Sequence, residues 1–273
     1  MAMQTSTSAI PAQEQAELIE LSKKAAARQA VKDHLEHEFR YVGIGSGSTV
    51  IHVVQAIAEL GPDITSRMTF YPTGDQSRDL IEEAKLNLGT ISQLSPNESL
   101  DVCFDGADEV DEDLNLIKGG GACLWQEKIV VASAKKFICV VDYRKIAARL
   151  GTAWKQGIPI EVNPEAVPRV LKELQTIGSI NPVLRTYEPA WRKAQVVTDN
   201  HQALIDAPFP PLLLARDAEA NVPGKWTVDG LARRLKEIVG VAEIGIFSGA
   251  VQKPVAVYIG LQDGTTKSLQ LKA

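Results

Sequence analysis

The chain has 273 residues, 45% of them hydrophobic and 23% charged, with a net charge of −5. That length buries a substantial core as one large domain or two smaller ones, and scattered basic residues with a negative balance argue against a nucleic-acid partner. Without an apolar run near 20 residues, a bilayer span is not expected either.

No basic segment leads into a long apolar stretch at the N-terminus, so no secretory signal is expected there. Cys103, Cys123 and Cys139 have no CxxC spacing and lie among apolar neighbours, as small buried hydrophobes do in a reducing compartment. A soluble cytoplasmic protein is the expectation.

Residues 1–13 are small and polar and read as a disordered tail. From 14 to 38 Leu18, Leu21, Ala25, Ala26, Ala30, Val31 and Leu35 recur at helical spacing. By spacing alone, Lys23 and Lys24 belong to a solvated charged face. A short strand over 39–44 runs into Gly45-Ser46-Gly47-Ser48-Thr49 and then an apolar helix from Val50 to Leu60. Strand, glycine turn and hydroxyl residues at a helix start leave backbone N–H groups unpaired at a positive dipole end, a seat for phosphate. The turn matches neither the dinucleotide fingerprint nor the P-loop, and by itself an ordinary strand-to-helix turn reads equally well.

A strand over 68–71, a turn at 72–75, an amphipathic helix carrying Leu80 and Ile81, and a strand over 100–104 follow. The last delivers Asp105 and Asp108 at its carboxyl end, where open α/β sheets bind ligands. The next stretch reads FDGADEVDEDLNLIKGGGACLWQEK. It holds Asp105, Asp108, Glu109 and Asp111, then Lys118, Gly119, Gly120 and Gly121, then a helix over 123–134 with Glu127. Carboxylates and consecutive glycines are poor core material. Bare N–H groups beside a cation and a carboxylate suit binding and proton transfer on a small anion. A strand over 137–141 completes an alternation that predicts a mostly parallel sheet covered on both faces.

Composition shifts near 151–159. Strands over 158–162, 183–187, 195–198 and 203–205, helices over 167–177 and 228–239, and a strand over 242–247 suggest a smaller α+β unit. Two final strands, 254–260 and 265–271, read as a hairpin about Asp263-Gly264.

The central stretch fails as a calcium loop: Leu116 and Ala122 stand where glycine and glutamate are needed. The four histidines (His34, His37, His52 and His201) lack metal-ligand spacing, and His52 is expected to be buried and to pack. A serine nucleophile elbow is absent. What remains is general acid–base chemistry on a phosphorylated carbonyl compound.

GIGSGST, the DGADE…KGGG…EK combination, GIPIEV and VVTDN together resemble the type A ribose-5-phosphate isomerase family in its eukaryotic form, over nearly the whole chain. The resemblance implies reversible conversion of ribose 5-phosphate and ribulose 5-phosphate through a cis-enediolate in the pentose phosphate pathway, with no metal or cofactor. Glu127 would be the base carrying a proton between C1 and C2. Asp105 would assist ring opening, Asp108 would orient hydroxyls, and Lys118 with the N–H groups of Gly119, Gly120 and Gly121 would stabilise the enediolate oxygen. Gly47, Ser48, Thr49 and His52 would seat the phosphate with Lys23 and Lys145, beside Gly106 and Ala107. As a base near neutrality, Glu127 would need a raised pKa or tight positioning.

The implied architecture is a Rossmann-like catalytic domain (14–151 plus 249–273) with a smaller α+β, ferredoxin-like domain (152–248) inserted before the hairpin. That second domain would contribute to a homodimer or homotetramer. Trp125 and Asp75 depart from the family pattern beside the expected cleft. Two other readings compete: a sugar-phosphate sensor, against which stands the lack of a helix-turn-helix segment before the sheet, and an acyl- or CoA-transferring enzyme with Glu127 as nucleophile, in which the DGADE segment has no evident task.

Overall fold

The computed structural model describes residues 12–188, 192–217 and 223–271. Most of the tail expected at 1–13 lies outside the described residues, and Gln13 is already helical.

A six-stranded sheet organises the chain, in the order Thr266–Gln270, Ala256–Gly260, Phe137–Asp142, Val102–Asp105, Tyr41–Ile44 and Thr69–Pro72. All neighbours are parallel except the final hairpin. Successive side chains on a strand face opposite ways, and both faces are apolar. Val42, Ile44, Val102, Phe104, Ile138 and Val140 meet Ala26, Ala30 and Val31 of the first helix, Ala12–His34, and Val53 and Ile57 of Val50–Ala58. On the other face Cys103, Cys139, Val141, Val257 and Ile259 meet Val130 and Val131 of the helix Leu124–Ala132. The three cysteines are free and buried, and burial pushes the Cys139 thiol up to about 12.

A four-stranded antiparallel sheet, Val241–Ile244, Ile158–Val162, Ala203–Ala207 and Val183–Leu184, carries the helices Val167–Thr176 and Val228–Lys236 over a second core. Between the two sheets lies a small one that the sequence pattern did not suggest: Ile246–Phe247, Leu116–Ile117 and Glu109–Val110.

Several expectations are corrected. The strand expected over 242–247 is two strands in different sheets. They part at Gly245, whose N–H donates to Pro159 O and whose carbonyl accepts from Lys118 N. The strand expected over 183–187 is likewise divided, its second part pairing with Ala194–Gln195. In the first helix Leu21 is exposed and Lys23 is buried, the reverse of the solvated face expected for that lysine.

Candidate active site

The strands Tyr41–Ile44 and Val102–Asp105 end side by side, with Ile44 opposite Phe104. Gly45 N bonds to Phe104 O at 2.8 Å, drawing the glycine turn against Asp105. A Cβ at residue 45 would stand 1.9 Å from Asp105 Oδ1, so only glycine permits this approach. The Asp105 carboxylate then accepts from Ser46 N at 3.2 Å and Gly106 N at 2.7 Å.

Lys118 enters from the small middle sheet and is buried. Its Nζ donates to Gly106 O at 2.6 Å and Glu127 Oε1 at 3.0 Å, and lies 3.0 Å from Asp105 Oδ2. Burial opposes the ammonium, but the Asp105 and Glu127 carboxylates outweigh it and raise the Lys118 pKa. Burial pushes Asp105 up to about 7, with Lys118 pulling down and Glu127 pushing up. One ammonium cannot neutralise two buried carboxylates, so a raised value for one of them follows.

Glu127 lies in the first turn of Leu124–Ala132 and is 4% exposed. Ser46 Oγ stands 3.3 Å from its Oε1 and 3.1 Å from Cys123 Sγ. Its Oε2 is buried without a hydrogen-bond partner among the described residues. Asp108 caps the glycine run, its Oδ2 accepting from Gly120 N at 2.7 Å. Burial raises the Asp108 pKa, and that N–H partly offsets the shift.

Ser46, Asp108, Lys118, Gly120, Cys123 and Glu127 line a cavity of about 460 Å³ together with Gly47, Ser48, Thr49, Gly106, Ala107, Gly119, Gly121 and Lys145, a size suited to a small metabolite. Lys145 Nζ lies 5.3 Å from the centre of the Trp154 ring. Lys23 and His52 stand outside the lining. Lys23 reaches the turn through Ser48 Oγ, 3.0 Å away, while pairing with Glu20 at 2.6 Å. His52 is half-buried rather than buried, its Nε2 3.1 Å from Glu20 Oε2.

Of Asp105, Asp108, Glu109 and Asp111, only Asp108 lines the cavity; Asp105 is fully buried behind the lining, against Lys118. Glu109 accepts from Gly151, Thr152 and Ala153 backbone N–H groups, and Asp111 closes a turn with Asn115. Asp75 lines the mouth with Asp199, whereas Trp125 stands outside the lining and donates its N–H to Glu161. Ser46, though inside the turn singled out from sequence, went unassigned there. Its place between Asp105 and Glu127 makes it part of the constellation. Among the described residues no three His, Cys, Asp or Glu side chains are grouped to hold a metal ion.

An α/β sheet with a phosphate-type turn and a lysine-bridged carboxylate pair, one on a strand end and one on a helix, defines an enzyme of proton transfer on small phosphorylated compounds. The profile of ribose 5-phosphate isomerase A (phosphoriboisomerase A) matches residues 69–264. The ribose-5-phosphate isomerase of Eremothecium gossypii is 46% identical over 92% of this chain and 93% of its own. That of Mycosarcoma maydis is 44% identical over 90% and 80%. Among solved structures, a D-ribose-5-phosphate isomerase in complex with phospho-erythronic acid superposes with a TM-score of 0.76 at 32% identity, covering 92% of this chain and 99% of that one. The Plasmodium falciparum ribose 5-phosphate isomerase gives 0.77 at 26%, over 93% and 100%. The chain belongs to the ribose 5-phosphate isomerase A family, and is an aldose–ketose isomerase.

Proposed function

We propose that the cavity interconverts ribose 5-phosphate and ribulose 5-phosphate through a cis-enediolate, with Glu127 carrying the proton between C1 and C2. The observation behind this reading is Glu127 itself. One carboxylate oxygen is held by Lys118 and Ser46, while the other is buried with no hydrogen-bond partner among the described residues. A base so held keeps a lone pair for the substrate C–H without reorganising at the moment of transfer.

By the family resemblance Asp105 assists ring opening; fully buried and outside the cavity lining, it acts through Lys118, 3.0 Å away. Lys118 and the N–H groups of Gly119 and Gly121 meet the oxygen on which charge builds, the Gly120 N–H being held by Asp108. One such donor is typically worth about 3–4 kcal/mol in the transition state. Asp108 orients hydroxyls. The phosphate rests on the turn at Gly47, Ser48 and Thr49, at the positive end of Val50–Ala58, with Lys145 beside it and Lys23 acting through Ser48. His52 assists that end indirectly, through Glu20.

The remaining assignments rest on the family resemblance. Residues 152–248 act as an inserted domain and 14–151 plus 249–273 as the catalytic one. The protein works in the cytoplasm as a homodimer or homotetramer. No described helix is long and apolar enough to cross a membrane, and the smaller unit exposes Ile180, Val183, Tyr187 and Val197. Sedimentation would give the oligomeric state.

The reaction is tested in deuterated water. Proton transfer through Glu127 puts solvent deuterium at C1 of ribulose 5-phosphate formed from ribose 5-phosphate. Products free of deuterium in both directions would indicate a hydride shift and remove the base from the mechanism.

A further inference from the structure

Arg185 belongs to the smaller unit, at the junction between Val183–Leu184 and Thr186–Tyr187. Its backbone is fixed on both sides, by its N–H to Leu204 O at 2.7 Å and its carbonyl to Val196 N at 3.0 Å. One edge of the guanidinium is bound to Asp206, with Nε 2.8 Å from Oδ2 and Nη2 on Oδ1. The remaining nitrogen, Nη1, donates to Gly119 O and Gly120 O, each at 3.0 Å. The side chain is 13% exposed. This cation therefore crosses from the smaller unit to grip the glycine run from behind.

The peptide group is planar and trans, so the carbonyl of one residue and the N–H of the next point in opposite directions. Drawing Gly119 O and Gly120 O towards Arg185 turns the N–H groups of Gly120 and Gly121 away from it. The Gly120 N–H meets Asp108 Oδ2. Gly121 lines the cavity. A run of three glycines has no side chains to choose this orientation and many backbone states to lose. A planar guanidinium can bind a carboxylate along one edge and still present a donor to two carbonyls, whereas an ammonium on a flexible stem does not hold that geometry.

We propose that Arg185 is a positioning residue for the isomerisation. It fixes the peptides on either side of Gly120, keeping the Gly120 N–H on Asp108 and turning the Gly121 N–H away from the guanidinium towards the bound sugar phosphate, and its charge polarises those peptides towards stronger donation. The inference rests on reading the glycine run as the site that stabilises the enediolate oxygen.

The test compares wild type, Arg185→Met and Arg185→Lys in kcat, KM for ribose 5-phosphate, thermal melting and calorimetric affinity for two probes. 4-Phospho-D-erythronate mimics the enediolate with its carboxylate, and inorganic phosphate fills only the phosphate seat. Arg185→Met is expected to lower kcat by about 10–100-fold, the scale of a misplaced oxyanion donor, with KM within about threefold. Phospho-erythronate affinity should fall in step while phosphate affinity stays at the wild-type value. Arg185→Lys, which keeps the charge opposite Asp206 without the fork, should fall between the two, and it carries the test if the methionine variant does not fold. Wild-type kcat in the lysine variant, or an equal loss for both probes, overturns the proposal. A wild-type enzyme that binds phospho-erythronate no more tightly than phosphate removes the underlying reading of the glycine run, a result that does not involve Arg185.

Discussion

Lys118 meets two carboxylates with a single positive charge where all three side chains are buried, and the balance among the three decides what each can do. Glu127 is the carboxylate that faces the cavity with an oxygen to spare. Glu127→Gln keeps its volume and removes its basicity, so kcat should fall by about 10³-fold, within the usual range for a lost general base. KM and the melting temperature should change little, and a variant retaining wild-type turnover would reassign the base. Asp105 carries a different consequence. Its folded value near 7 stands above the ordinary 3.8, so the folded protein binds more protons than the unfolded chain between those values. This contribution to stability is complete below about pH 4 and is lost as pH rises through about 7. In Asp105→Asn that part of the decline should vanish, making urea-unfolding free energies at pH 5 and pH 8 differ less than in wild type. Parallel pH curves for the two proteins would contradict the placement of Asp105. Asp105, Asp108, Lys118 and Glu127 were legible because each sits at a strand end, a glycine run or a helix start beside the others in sequence. Ser46 carried a signal that went unused, since it lies inside the same glycine turn as Gly47, Ser48 and Thr49. Arg185 carried none: it lies 66 and 65 positions from the glycines it holds, and no local pattern records such a contact.

At the scale of elements, the helix Leu124–Ala132 must keep Glu127 in place, and the residue after it does much of the holding. Lys128 Nζ donates to Ile244 O at 2.7 Å and Ile246 O at 2.8 Å, reaches Glu243 at 3.1 Å, and lies 4.7 Å from the centre of the Phe247 ring. Burial pushes this ammonium down to about 8, with Glu243 pulling the other way. The clamp spans Gly245, the point where the chain passes from the four-stranded sheet to the small middle one. In Lys128→Met two buried carbonyls lose their donor, which should cost about 2–3 kcal/mol and lower the melting temperature by on the order of 5–10 °C. A melting temperature within roughly 2 °C of wild type would mean the carbonyls find other partners. The same region shows where sequence pattern stops informing. Long parallel strands such as Phe137–Asp142 announce themselves as continuous apolar runs. Glu109–Val110, Leu116–Ile117 and Ile246–Phe247 have two residues each, too few for any period to show. Glu109–Val110 pairs with nearby Leu116–Ile117, but the pairing of Leu116–Ile117 with Ile246–Phe247 joins segments more than a hundred positions apart.

In the molecule as a whole, the glycine run and the helix Leu124–Ala132 that line the candidate site are held by contacts from the smaller unit. Arg185 grips Gly119 and Gly120, Glu161 accepts the Trp125 backbone N–H at the start of the helix Leu124–Ala132, and Glu243 pairs with Lys128. None of these three belongs to the central sheet, so opening of the smaller unit releases the glycine run and the helix together. Local opening follows the stability of the unit that opens, and the core beneath Val167–Thr176 and Val228–Lys236 sets that stability. Leu174 is fully buried there and lines no part of the cavity. Leu174→Ala should therefore destabilise the smaller unit by about 3 kcal/mol while leaving kcat and KM at 25 °C close to wild type, because the folded population remains dominant at ordinary stabilities of about 5–15 kcal/mol. On heating, activity should disappear with the smaller unit, at a midpoint lowered by on the order of 8 °C. If the variant instead inactivates at the wild-type temperature while its smaller unit melts early, the glycine run and the helix Leu124–Ala132 keep their geometry without the clamps, and the central sheet alone suffices to position Glu127.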